Sequence, residues 1–122
     1  MKTLSPRARA EMSRVRRAIG WATSTLELSD AEVGGALGAS SRSIARWRDE
    51  LHRPTDRHVL AAERLLELAL ALDTAFAKDL ERLHHWLHEP LPQLDRRTPL
   101  RAIADGRIDE VHTVLANAAA SV

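Results

Sequence analysis

The sequence has no cysteine and no tyrosine, and its aromatic share is 3%, made up of Trp21, Trp47, Trp86 and Phe76. Without thiols there is no disulfide scaffold, no thiol catalysis and no thiolate zinc site, which fits a cytoplasmic protein. Scarce aromatics beside abundant Ala and Leu argue against a β-sandwich or barrel, because strands are usually built from β-branched and aromatic residues. Long apolar runs are missing too. The longest strictly apolar stretch is Leu68-Ala69-Leu70-Ala71-Leu72, far below the roughly 20 residues that cross a bilayer, so no membrane partner is expected. The basic N-terminus lacks the apolar stretch of a signal peptide. No Gly-x-Ser-x-Gly elbow, phosphate-binding glycine loop or dinucleotide fingerprint is present, so neither an enzyme nor a bound cofactor is expected.

What is there is enough for one compact domain, or two small helical units sharing a core: 122 residues, 44% of them apolar. The net charge of +1 hides an asymmetry. Residues 1–58 carry 11 Lys/Arg against 7 Asp/Glu, a net +4, whereas residues 59–122 carry 7 against 10, a net −3. A basic half suits nucleic acid and an acidic half suits protein.

Ser5-Pro6 reads as an N-cap with proline at the first helical position, opening a helix to about Thr23. Its apolar positions are Met12, Val15, Ile19 and Trp21, with Arg7, Arg9, Arg14, Arg16 and Arg17 around them. Ser29 and Glu32 have capping-box spacing, so a short helix starts at Asp30, turns Val33 and Leu37 inward and stops at Gly38. Ser40 or Ser41 caps a second short helix from Arg42 to about Leu51, with Ile44, Trp47 and Leu51 inward. Thr55 caps a long stretch from Asp56 towards His88. As one rod that would measure about 50 Å at roughly 1.5 Å per residue, so a break is expected among Asp73 to Asp79. Leu65 to Leu72 is apolar on nearly every face and should be buried on more than one side, by the rest of the chain or by a second copy. Glu89-Pro90-Leu91-Pro92-Gln93 reads as an extended proline loop. Thr98-Pro99 repeats the cap-plus-proline start, Gly106 ends that short helix, and a last helix runs from Ile108 to about Ala119. The tail to Val122 has little to anchor it.

Two short helices around a glycine turn follow the helix-turn-helix plan. Counting Asp30 as the first position, small Gly34 falls fifth and Gly38 ninth, where the turn needs a positive φ. Apolar Val33, Leu37, Ala39, Ile44 and Trp47 fall fourth, eighth, tenth, fifteenth and eighteenth. With Ile44 and Trp47 inward, Ser41, Arg42, Ala45, Arg46 and Asp49 share the opposite stripe. Arginine suits bidentate contact with guanine edges, so Arg42 and Arg46 are the base-reading candidates, with Ser41 and Arg17 as phosphate contacts. Asp49 and Glu50, at the end of that helix, would repel phosphates. His84, His85 and His88 form a cluster without a further ligand at fixed spacing, so no metal is expected.

The C-terminal half runs Trp86-Leu87, Pro90, Pro92, Leu94, Arg97-Thr98-Pro99-Leu100, Gly106 and Val111. In that order, behind a helix-turn-helix, it resembles the Xre/MbcA/ParS-type antitoxins of bacterial type II toxin–antitoxin systems. The resemblance covers roughly residues 20–118. Leu91 stands where that family usually has asparagine, and Arg96 where it often has glycine. The resemblance implies an all-α fold: an N-terminal helix-turn-helix bundle, residues 1–55, joined by a long helix to a small toxin-binding domain within residues 56–122. It implies a RES-domain toxin partner, of a class that degrades NAD or transfers ADP-ribose from it, with the antitoxin covering the NAD cleft. Carried over, the toxin-facing candidates are Trp86, Arg97, Thr98, Arg101, Arg107 and the tail to Val122. Operator DNA and a homodimer or larger toxin–antitoxin assembly complete the expected partners. The competing expectation is a stand-alone helix-turn-helix transcription regulator.

Overall fold

The computed structural model describes residues 4–120, with side chains described to residue 118. Among them are seven α-helices, one 3-10 turn and no strand: α1 (Pro6–Ser24), α2 (Asp30–Leu37), α3 (Ser41–Arg48), α4 (Asp56–Phe76), α5 (Leu80–Leu87), the 3-10 turn Pro92–Leu94, α6 (Pro99–Ala104) and α7 (Ile108–Ala120). None of the described helices is long and apolar enough to cross a membrane.

Ser5, Ser29 and Thr98 cap the helices the sequence assigns to them. Ser5 accepts from the Ala8 amide with Pro6 following, and Thr98 accepts from the Arg101 amide with Pro99 following. Ser29 and Glu32 form a reciprocal capping box, at 3.2 Å from the Glu32 amide to Ser29 Oγ and 3.0 Å from the Ser29 amide to Glu32 Oε1. Those bonds from Ser29 hold the Glu32 carboxyl below its ordinary range. Gly38 and Gly106 close α2 and α6 with φ of 71° and 84°, left-handed values that cost an L side chain about 1 kcal/mol.

Helix α4 is the spine. Leu65, Leu68 and Leu72 are fully buried, with α1 packed on one side of the helix and α7 on another. The expected burial on more than one side is therefore met within one chain for these three residues, but Leu70 points outward and is 69% exposed. The long stretch does break within the expected window. Ala77 and Lys78 take left-handed φ of 49° and 65°, and α5 then starts at the Asp79 cap.

Four expectations need correction. Helix α3 is capped by Ser40, starts at Ser41 and ends at Arg48 rather than Leu51. The cause is Glu50, at φ 58°, which folds the chain back so that the Leu51 amide meets the Arg46 carbonyl at 2.8 Å. Leu51 is left 72% exposed instead of inward. The proline loop is not simply extended: Pro92 starts a 3-10 turn that buries Leu94, and the Arg96 amide bonds back to the Leu91 carbonyl at 2.9 Å. Arg96 itself keeps the left-handed backbone that a glycine would take easily, at φ 67°. Thr55 stands before α4 but makes no side-chain cap bond, and Trp21 is half-buried, packed against the core from its rim.

The two halves meet through backbone. A Cβ on Gly35 of α2 would run into the carbonyl of Ala104 at the end of α6, and one on Gly106 would lie 3.2 Å from the Gly35 carbonyl. Helix α2 thus packs on α3 with its Gly34 side and on α6 with its Gly35 side.

Candidate functional sites on the two halves

Helix α3 carries a fully buried edge, Ile44 and Trp47, and an exposed stripe of Ser41, Arg42, Ala45, Arg46 and Asp49. The separation follows from 3.6-residue periodicity, since residues three apart share a face. Ion pairing then sorts the arginines. Arg48 is held bidentately by Asp30 at 2.8 and 3.1 Å, and Arg16 by Glu50 at 2.9 Å. The Arg48 guanidinium draws the Asp30 carboxyl below the usual carboxylate range. A depressed pKa contributes stability that is present above the ordinary carboxylate pKa and lost as pH falls through the lowered one. That contribution is small, because the pair is partly exposed.

By contrast, the side chains of Arg17, Arg42 and Arg46 make no ion pair or hydrogen bond among the described residues. Arg42 and Arg46 stand one turn apart with their donors unspent. Arg17 is not on their stripe. It lines a groove of about 530 Å³ with Arg9, Arg16, Arg48 and Glu50, between α1 and the end of α3.

In the acidic half, most of the predicted partner-facing residues have internal work. Thr98 caps α6 at 3.0 Å from the Arg101 amide. Asp105 gathers Arg97 and Arg101, each at 3.6 Å. Arg107 bonds to Asp95 at 3.1 Å and to Glu110 at 3.4 Å, tying the loop to the start of α7. Of the three arginines Arg101 is the most open, 67% exposed. Trp86 lies apart from them, on α5, half-buried against Phe76 at 5.8 Å between ring centroids, with Arg82 over the Phe76 ring. Val122 lies outside the described residues.

No protein-family model matches the chain. It is, however, 35% identical over 95 residues to the mycobacterial cidal antitoxin MbcA of Mycobacterium bovis and of two Mycobacterium tuberculosis strains, a match covering 76% of this chain and 80% of each relative. The chain belongs to the MbcA antitoxin family. A 95-residue match is longer than either residues 1–55 or residues 56–122, so the MbcA likeness takes in parts of both halves. It cannot come from a widespread short helical motif alone.

One feature of this MbcA-family chain escapes sequence inspection. His58, in the first turn of α4, places Nε2 3.1 Å from the Gly38 carbonyl and Nδ1 2.7 Å from Thr55 Oγ1. Its ring lies on Trp47, centroids 4.8 Å apart. Because a carbonyl only accepts, Nε2 carries the hydrogen of that bond, while Nδ1 pairs with the Thr55 hydroxyl. Thr55 is the residue before α4, yet it makes no side-chain cap, forgoing a bond worth about 1 kcal/mol. The only trace in the sequence is the Thr55-x-x-His58 spacing, which resembles a capping box.

The histidine cluster also finds a local explanation. His88 Nδ1 donates to the His84 carbonyl at 2.7 Å and the two rings stack, closing the end of α5. Among the described residues no three His, Cys, Asp or Glu side chains form a metal-holding group.

Proposed function

We propose that this MbcA-family chain is a non-enzymatic antitoxin that holds a cognate toxin inactive by binding it. The likeness to MbcA, 35% identity across both halves, carries the reading. In finer detail, the toxin is a RES-domain enzyme that consumes NAD or transfers ADP-ribose, and residues 56–122 cover its NAD cleft. A cleft built for the phosphates of NAD is basic, and the net −3 of residues 59–122 complements it. Arg101 offers an open contact and half-buried Trp86 a second, whereas Arg97, Thr98 and Arg107 keep α6 and its loop in shape; the tail to Val122 is a further toxin-facing candidate.

Residues 1–55 read operator DNA and so repress the chain's own operon. The support is the exposed stripe of α3, whose Arg42 and Arg46 have unspent donors. Ser41 and Arg17 supply phosphate contacts. That same stripe favours the second reading, a stand-alone transcription regulator. Co-expression with the product of the adjacent reading frame separates the two. An antitoxin restores growth and cellular NAD when that product is toxic. Absence of a toxic neighbour, or toxicity that persists despite binding, would sink the antitoxin reading. In the same cells, Arg42→Ala with Arg46→Ala should leave neutralisation intact while specific operator affinity drops at least tenfold, since each bidentate arginine–guanine pair is worth about 1–3 kcal/mol. An unchanged gel shift would remove the groove assignment.

The antitoxin also pairs with itself through α4. Leu70 projects beside a groove of about 430 Å³ between α4 and α7, floored by Ala71, Ala75 and Ala116, small residues that let a second helix approach. Sedimentation should show a dimer that Leu70→Glu dissociates. A monomer at every concentration would overturn this.

A further inference from the structure

We infer that His58 is a positioning residue that fixes the pose of α3 on DNA, an inference that rests on the operator-reading assignment above. Helix α3 has only eight residues, too few to be stable alone, so its orientation must come from what it packs on. Ile44 and Trp47 hold it against the core, which leaves sliding along its axis and rocking about it to be suppressed. The His58 ring joins the turn before the helix to its last turn. Its Nε2 holds the Gly38 carbonyl, which closes α2 two residues before the Ser40 cap, and the ring packs at a tilt of 56° on Trp47 in the last turn. These can be one contact region because helical side chains lean towards the N-terminus, bringing the Trp47 indole back towards the turn.

Thr55 locks the ring from the other side. Both imidazole nitrogens are engaged, so the ring cannot flip without losing a bond. His52 adds an edge-on contact to the same indole at 5.6 Å. Moving α3 would therefore strain the Gly38 bond and the Trp47 packing together. The consequence reaches DNA through Arg42 and Arg46, because bidentate recognition is steep in geometry whereas phosphate attraction is not. His58 itself touches no base in this scheme; it governs selectivity and leaves general affinity alone.

The test uses the full chain with a duplex from directly upstream of its coding sequence and a scrambled duplex of equal length. His58→Leu keeps bulk on Trp47 and removes both hydrogen bonds. Preference for the upstream duplex should fall about tenfold, the size expected for the loss of two hydrogen bonds together, while scrambled-duplex affinity and toxin neutralisation stay unchanged. His58→Gln retains a donor for the Gly38 carbonyl and should restore preference to within about threefold of wild type, and Thr55→Val should lower it by about threefold. Wild-type preference in His58→Leu, or a glutamine variant as weak as leucine, overturns the inference. If the wild-type chain shows no preference at all, the operator-reading assignment fails instead, and hydrogen exchange decides the rest. Faster exchange of α3 amides in His58→Leu, with α7 unchanged, keeps His58 as the holder of α3; equal protection removes it.

Discussion

Gly35→Ala is expected to destabilise the chain by about 2 kcal/mol, although the substitution swaps a poor helix former for the best one. In an unobstructed helix alanine gains about 1 kcal/mol over glycine. At position 35 the new Cβ would overlap the Ala104 carbonyl, and the atom it meets is backbone, which cannot swing aside as a side-chain tip can. Overpacking of that kind costs up to about 3 kcal/mol and outweighs the gain in propensity. For a chain of this size the net loss corresponds to a melting temperature lower by roughly 10 °C. Gly20→Ala supplies the control, since a Cβ there meets nothing within 4 Å. It should raise stability by up to about 1 kcal/mol, the full helix-propensity difference. Thermal melts followed by circular dichroism compare the two. If both variants melt above the wild type, α2 and α6 do not approach each other closely at Gly35.

A larger loss is expected from Trp47→Ala. Trp47 is among the largest fully buried side chains, and truncating a buried tryptophan to alanine costs about 3–5 kcal/mol through forfeited transfer energy and the cavity left behind. Against a total of about 5–15 kcal/mol for an ordinary domain, that removes a large share of the stability. Trp47→Phe should be much milder. The indole Nε1 is buried with no hydrogen-bond partner, so phenylalanine gives up no bond and removes a donor that was already unsatisfied. Urea unfolding reads both. A Trp47→Ala loss under about 1 kcal/mol would mean that the site collapses around the gap and that Trp47 is not the anchor of α3.

The helix starts were legible because each uses a side chain with one mechanical purpose: Ser5 before Pro6, Ser29 facing Glu32, Thr98 before Pro99. Ends marked by glycine, at Gly38 and Gly106, were equally plain. Ends without glycine were not. Glu50 and Ala77 adopt left-handed backbone with no residue-level signal, because tertiary contacts outweigh a local cost of about 1 kcal/mol. That is why α3 looked longer than it is, whereas the break after α4 could be placed only within a window. In the candidate sites, periodicity was enough to put Arg42 and Arg46 outward. It could not show that Arg48 is spent on Asp30, 18 residues away, nor that His58 reaches the Gly38 carbonyl, 20 residues away. Such pairings depend on how the helices meet.

The meeting of α2 with α6 has a consequence for how chains of this kind diversify. A relative that acquired a new partner specificity by exchanging its C-terminal segment would also inherit a new neighbour for residue 35. The exchange succeeds only where the incoming segment keeps a backbone-to-backbone fit against a glycine there. Recombination between relatives is therefore constrained at a position that contacts neither DNA nor toxin in the proposed scheme, and drift at Gly35 would close that route before either binding surface had changed.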